Sequence, residues 1–71
     1  MQKLTRGKCL LKEELRSHGR TQSWLARRTG YSRQQISNWI AGRDKMSFEA
    51  AVLISRILEC KAEDLYEWEL A

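Results

Sequence analysis

Apolar residues recur along this chain at three- and four-residue spacing, in blocks separated by glycine or by a hydroxyl residue suited to capping a helix. Leu4, Lys8, Leu11, Leu15 and His18 follow a helical period and predict a first helix from about Arg6 to His18, stopping at Gly19. Thr5 is its expected cap, with Leu4 and Cys9 spaced as a hydrophobic staple. A second helix is predicted from Gln22 to about Thr29, capped by Thr21, with Leu25 and Ala26 turned inward. Ser32 caps a third helix that closes at Gly42. On it Ile36, Trp39 and Ile40 share one face, leaving Arg33, Gln34, Ser37 and Asn38 on the other. Ser47 caps a fourth helix, Phe48 to about Leu58, that is apolar on nearly every side and is therefore central or faces a partner. A short last helix, about Ala62 to Trp68, would bring in Leu65 and either Tyr66 or Trp68. Five helices and no strand pattern predict an all-α fold, a compact single domain over residues 1–71.

The stretch TQSWLARRTGYSRQQISNWIAG, residues 21–42, carries most of the functional information. Ala26 is small enough for a second helix to cross closely over it. Gly30 stands just past the second helix, where a left-handed backbone suits glycine and few other residues. The turn Gly30-Tyr31-Ser32 is short enough to hold the two helices at a steep angle. This is the pattern of a helix-turn-helix.

Size and composition narrow the classes. Seventy-one residues barely suffice for one core, so a deep catalytic cleft is not expected, and no His, Cys, Ser or carboxylate constellation supports an enzyme. There is no proline, repeat or membrane-length apolar run, and no signal-peptide core, which predicts a cytoplasmic protein without a membrane partner. Cys9 and Cys60 lack the paired spacing of a zinc site and read as reduced, small core residues; no metal or cofactor is expected. Charge is distributed unevenly. Residues 1–45 hold 11 Lys or Arg against three acids, whereas residues 46–71 hold two against six. The basic part coincides with the helix-turn-helix, as a phosphate-facing surface requires.

Together, Thr21-Gln22, Leu25-Ala26, Gly30, Ser32 through Ile36, and Gly42 resemble the lambda-repressor-like DNA-binding domains of the Xre and Cro type, from about Leu11 to Leu65. The resemblance implies that the third helix enters the major groove and that Gln22 hydrogen-bonds a phosphate. Three positions depart from the family pattern. Leu15 and Ile40 stand where an arginine–glutamate pair is common, an apolar exchange that keeps the site satisfied. Glu59 replaces a glycine after the fourth helix and Lys61 a capping serine, so the last connection is expected to differ in shape. Arg20 replaces an apolar residue and is one more candidate phosphate contact.

Within that frame Arg33, Gln34 and Asn38 are the candidate base contacts, because Arg can grip guanine and Gln or Asn adenine in bidentate fashion. Gln35 and Ser37 are candidates for a base edge or a phosphate. Gln22, Ser23, Tyr31, Arg43 and Lys45 are candidates for holding the DNA backbone, and Lys3, Arg6 and Lys8 for an N-terminal arm. His18 reads as a helix-end residue, and no role is assigned to Trp24. The expected function is a small phage- or mobile-element-type repressor, a homodimer on an inverted-repeat operator in double-stranded DNA. Leu53, Ile57, Trp68 and Leu70 are the candidate dimer surface. An antitoxin-like or accessory regulator, whose acidic C-terminal part captures a protein partner, is the alternative.

Overall fold

Leu11, Leu25, Ile36, Met46, Ile54 and Leu65 are the largest wholly buried side chains, and they come from six successive segments that must therefore meet at one centre. The computed structural model describes residues 2–70; Met1 and Ala71, the ends of the expected 1–71 unit, lie outside the described residues. The order is β1 (Leu4–Cys9), α1 (Leu11–Ser17), α2 (Gln22–Thr29), α3 (Arg33–Ala41), α4 (Phe48–Ile57), a 3-10 turn (Ala62–Leu65) and β2 (Tyr66–Leu70). Among the described residues the expected all-α, five-helix fold is thus corrected to four α-helices and a two-stranded antiparallel sheet.

Both corrections have local causes. The helix expected from Arg6 begins only at Leu11, because Thr5 and Gly7 are poor helix formers and the segment LTRGKC pairs with β2 instead. The Thr5 cap and the Leu4/Cys9 staple do not form: the Thr5 hydroxyl donates to the Glu69 carbonyl at 3.4 Å, Leu4 is exposed and Cys9 is buried. The helix expected to reach Trp68 stops after one 3-10 turn and becomes β2, whose sequence YEWEL alternates apolar and acidic residues at the two-residue period of a strand. The register sets Leu4 opposite Leu70 and Arg6 opposite Trp68, then slips before Cys9 meets Tyr66. Gly7 sits at that slip. A Cβ there would lie 3.2 Å from the Glu67 carbonyl oxygen, so the close approach of the strands suits glycine.

The helix ends follow the sequence closely. Thr21, Ser32 and Ser47 each accept a hydrogen bond from the backbone N–H three residues on, at 3.1, 3.0 and 3.1 Å. Gly30 closes α2 with φ 85°, in the left-handed region. Ile36 and Trp39 are buried as expected, whereas Ile40 and Ala26 are only partly covered. Along α4 the buried side chains are Ala50, Ala51, Ile54 and Ser55, so the helix is less central than its composition suggests and Phe48 stands out in solvent. Glu59 adopts the left-handed conformation of the glycine it replaces, φ 55°, and the Cys60 N–H donates to the Ser55 carbonyl at 2.9 Å. The expected change of shape after α4 is therefore not seen at Glu59. In place of a serine cap, Asp64 reaches back to accept from the Lys61 N–H at 3.1 Å.

The sheet also holds the loop that follows α3. The Met46 peptide is gripped on both sides: its N–H donates to the Tyr66 hydroxyl at 3.0 Å, and the Arg6 Nη1 donates to its carbonyl at 2.7 Å. The Arg6 guanidinium lies over the Tyr66 ring, 4.9 Å from its centroid. Arg43 and Lys45 precede Met46 on this loop, so the ribbon missed from sequence fixes the end of a segment carrying two candidate anchors.

Candidate nucleic-acid interface

Residues one helical turn apart gather on the outer face of α3, and the packing of α2 against α3 brings the start of α2 beside them. Gln22 of α2 lines a shallow hollow of about 240 Å³ together with Arg33, Gln34 and Ser37 of α3. All four carry hydrogen-bonding side chains. Arg33 and Gln34 are exposed, and Ser37 and Gln22 are half-buried. Two candidate base contacts, one secondary candidate and the expected phosphate contact thus share one surface.

Asn38 is more constrained than expected. Its Oδ1 accepts from Gln34 Nε2 at 3.0 Å and from Arg43 Nε at 2.9 Å, while its backbone carbonyl accepts from the Arg43 and Asp44 N–H groups at 2.9 and 3.3 Å. Bidentate adenine recognition needs that same Oδ1 as an acceptor, so in this arrangement Asn38 links a candidate reader to a candidate anchor. Gln35 turns elsewhere: it donates to Asp44 at 3.4 Å and lines a separate hollow with Tyr31, Trp39 and Lys45. Tyr31 packs its ring edge-on against Trp39, with centroids 4.9 Å apart. Ser23 is half-buried on α2, outside both hollows, and Arg43 and Lys45 are exposed.

The N-terminal cations do not form a free arm. Arg6 is spent on Met46 and Tyr66, and Lys8 pairs with Glu13 at 3.5 Å; Lys3 is exposed ahead of β1. The Glu13 carboxyl is held below its ordinary value mainly by a backbone hydrogen bond, then by Lys8. Trp24, which had no role in the sequence reading, lies under two guanidinium groups, Arg20 at 4.7 Å and Arg28 at 5.5 Å from its centroid.

The four residues expected at a dimer surface do not form one patch. At 100° per residue Leu53 and Ile57 lie on one flank of the buried Ile54, and Phe48 and Ala51 on the other. Ile57 lines a hollow with Trp24, whereas Trp68 lines a groove of about 360 Å³ with Leu4, Phe48 and Ala51. Among the described residues the greatest apolar exposure is at Phe48 (73%), Leu70 (66%) and Leu4 (59%), against 40% for Trp68 and 39% for Leu53. Leu4 was missed because a helix staple would cover it, and Phe48 because the helix it opens, central or facing a partner, marked no single residue as the exposed one.

Burial pushes the Cys60 thiol up to about 11, with Glu14 and Asp64 adding to the effect, and burial likewise raises Cys9. Among the described residues no group of three His, Cys, Asp or Glu could hold a metal ion, and no helix is long and apolar enough to cross a membrane.

The helix-turn-helix family profile matches residues 11–65, which spans α1 through the 3-10 turn and leaves out both strands. The chain belongs to the lambda-repressor-like helix-turn-helix family. It is also similar to the SPbeta prophage-derived uncharacterized HTH-type transcriptional regulator YopS of Bacillus subtilis (strain 168), at 35% identity over 71 residues, covering 99% of this chain and 96% of that protein. No solved structure matches. The helix-turn-helix proper is α2, the turn at Gly30 and α3, the elements that build the hollow.

Proposed function

We propose that this protein is a sequence-specific, double-stranded-DNA-binding transcriptional regulator of phage or mobile-element type that reads the major groove with α3. The observation that carries this reading is the hollow shared by Gln22, Arg33, Gln34 and Ser37, whose hydrogen-bonding side chains are of the kinds that hold a DNA backbone and read base edges. Arg33 and Gln34 read bases, with Asn38 holding Gln34 and Arg43 in register. Arg43, Lys45 and Gln22 grip phosphates, Ser23 and Tyr31 border them, and Gln35 serves the backbone side beside Lys45. Family membership and the basic charge of residues 1–45 support the same partner. Similarity to a prophage-derived regulator over nearly the whole of both chains supports the phage-type assignment and a cytoplasmic setting.

A regulator this small gains specificity by binding as a homodimer to an inverted repeat, which sets two recognition helices roughly one DNA turn, ~34 Å, apart. The exposed Leu4, Phe48, Trp68 and Leu70 favour the ribbon side of α4 for that contact over the flank bearing Leu53 and Ile57. Selection of bound duplexes from random DNA tests the whole reading. A palindromic motif is expected, and failure to enrich any sequence would refute it.

A further inference from the structure

The acids of the C-terminal part meet different fates in the fold. Asp64 is used to cap Lys61 and Glu63 lines the apolar groove, whereas Glu67 and Glu69 lie exposed on β2. Side chains alternate along a strand, and Tyr66 and Trp68 turn into the groove, so both carboxylates stand on the opposite face of the ribbon. Their neighbours on β1 are the small Thr5 and Gly7, which leave that face open. A cationic hollow of about 300 Å³ lies elsewhere, where His18, Arg20 and Arg28 gather round Trp24, with Ile57 and Glu59 from the end of α4. Both guanidiniums lie over the Trp24 ring, 4.7 and 5.5 Å from its centroid, and among the described residues neither forms an ion pair with a carboxylate. No residue of α3 lines this hollow. At ~100° per residue, Trp24 and Arg28 stand about 200° and 240° round α2 from Gln22, on the side turned away from the reading face.

We propose that this hollow receives Glu67 and Glu69 from the ribbon of a second copy, a head-to-tail contact separate from the two-fold dimer contact. Charge complementarity names the occupant. The hollow offers two guanidiniums, each able to take a carboxylate through parallel N–H donors, and β2 offers two carboxylates about 7 Å apart along the strand. Stacking on Trp24 holds the guanidiniums in place, so less freedom is lost when they are engaged. Giving and receiving surfaces are different patches, so each copy can do both and the contact propagates instead of closing on itself. Resting on the DNA-binding reading above, copies on neighbouring sites then stabilise one another; the contact itself needs no DNA.

Sedimentation of the intact protein without DNA tests it. At ~0.01 M salt, where charges act over about 30 Å, wild-type protein should form species larger than a dimer as concentration rises, and these should disperse at ~1 M, where the range is about 3 Å. Arg20→Glu with Arg28→Glu, or Glu67→Arg with Glu69→Arg, should each weaken this association on the order of tenfold or more, because like charges then face each other. An equimolar mixture of the two double variants should associate again, since the reversed hollow meets the reversed ribbon. All four residues are exposed, and melting curves verify that the variants fold. Lys12→Glu with Arg16→Glu, the same change of charge placed on α1 outside the hollow, should not weaken association. Wild-type protein that never exceeds a dimer at low salt, or folded variants that fail to recover on mixing, would overturn the contact and leave the DNA-binding reading untouched. Failure of the wild-type protein to select any DNA sequence would overturn that reading while the contact stands.

Discussion

Replacing Tyr66 with phenylalanine removes a single oxygen, and that oxygen is the partner of a backbone N–H in the core. The Met46 N–H donates to it at 3.0 Å; Met46 is 1% exposed and Tyr66 6%, so water cannot take over the bond. The ring remains, so no cavity of consequence opens, and the loss is that of an orphaned buried donor, about 1–3 kcal/mol. For a domain of this size that corresponds to a drop in melting temperature of about 4–8 °C per kcal/mol. Thr5→Val is the control: it removes the exposed 3.4 Å bond to Glu69 in the same sheet and should stay within about 0.5 kcal/mol. Urea unfolding followed by fluorescence measures both, with Trp39, buried in the core, as a reporter. If Tyr66→Phe is as mild as Thr5→Val, the sheet does not hold the loop through this bond. Because Arg43 and Lys45 lie on that loop, DNA affinity should fall with stability, and a stable variant with weakened binding would also contradict the argument.

Glu59→Gly should stabilise the protein by up to about 1 kcal/mol, since the left-handed backbone at φ 55° is strained for glutamate but open to glycine; a lowered melting temperature would refute this. Leu15→Arg should cost about 3–5 kcal/mol because Leu15 is buried, and Ile40→Glu less because Ile40 is half-covered; a double-mutant cycle should show recovery, and strict additivity would mean the two do not meet. Cys60, with its thiol at about 11, should react slowly with thiol reagents at pH 8, faster as pH rises toward 11, and rapid labelling at neutral pH would count against its burial. The folded state keeps that proton where the unfolded chain loses it, so this group's contribution to stability declines as pH climbs from the ordinary thiol range toward 11. Phe48→Glu should lower the sedimenting mass of a dimer whereas Leu53→Asp with Ile57→Asp should not; the reverse result would move the interface to the other flank of α4.

The parts of this fold that could be read from sequence are those whose causes are local. Thr21, Ser32 and Ser47 cap the helices they precede, and Gly30 turns where a left-handed residue is needed, because each depends on its immediate neighbours. The ribbon depends on pairing Leu4 with Leu70 across nearly the whole chain, and LTRGKC on its own carries too weak a pattern to announce a strand. YEWEL did carry the signal, in its strict alternation, and the helical period imposed on it was the wrong one. In the site, the residue types on α3 were legible, but their division of labour was not. That Asn38 accepts from Gln34 and Arg43, and that Gln35 turns to Asp44, follows from where the loop after α3 runs.

If α3 reads bases while the flanking cations hold the backbone, Arg33→Ala and Arg43→Ala must differ in which DNA they lose. The most direct measurement compares Arg33→Ala and Arg43→Ala on the selected site and on mixed-sequence DNA, at the same salt. Arg33→Ala should weaken the selected site by about 1–3 kcal/mol, relax preference at one or two bases and leave mixed-sequence binding much less changed. Arg43→Ala should weaken both nearly equally. Equal losses on both DNAs for both variants would show that Arg33 reads nothing and that the assignment of reader and anchor is wrong.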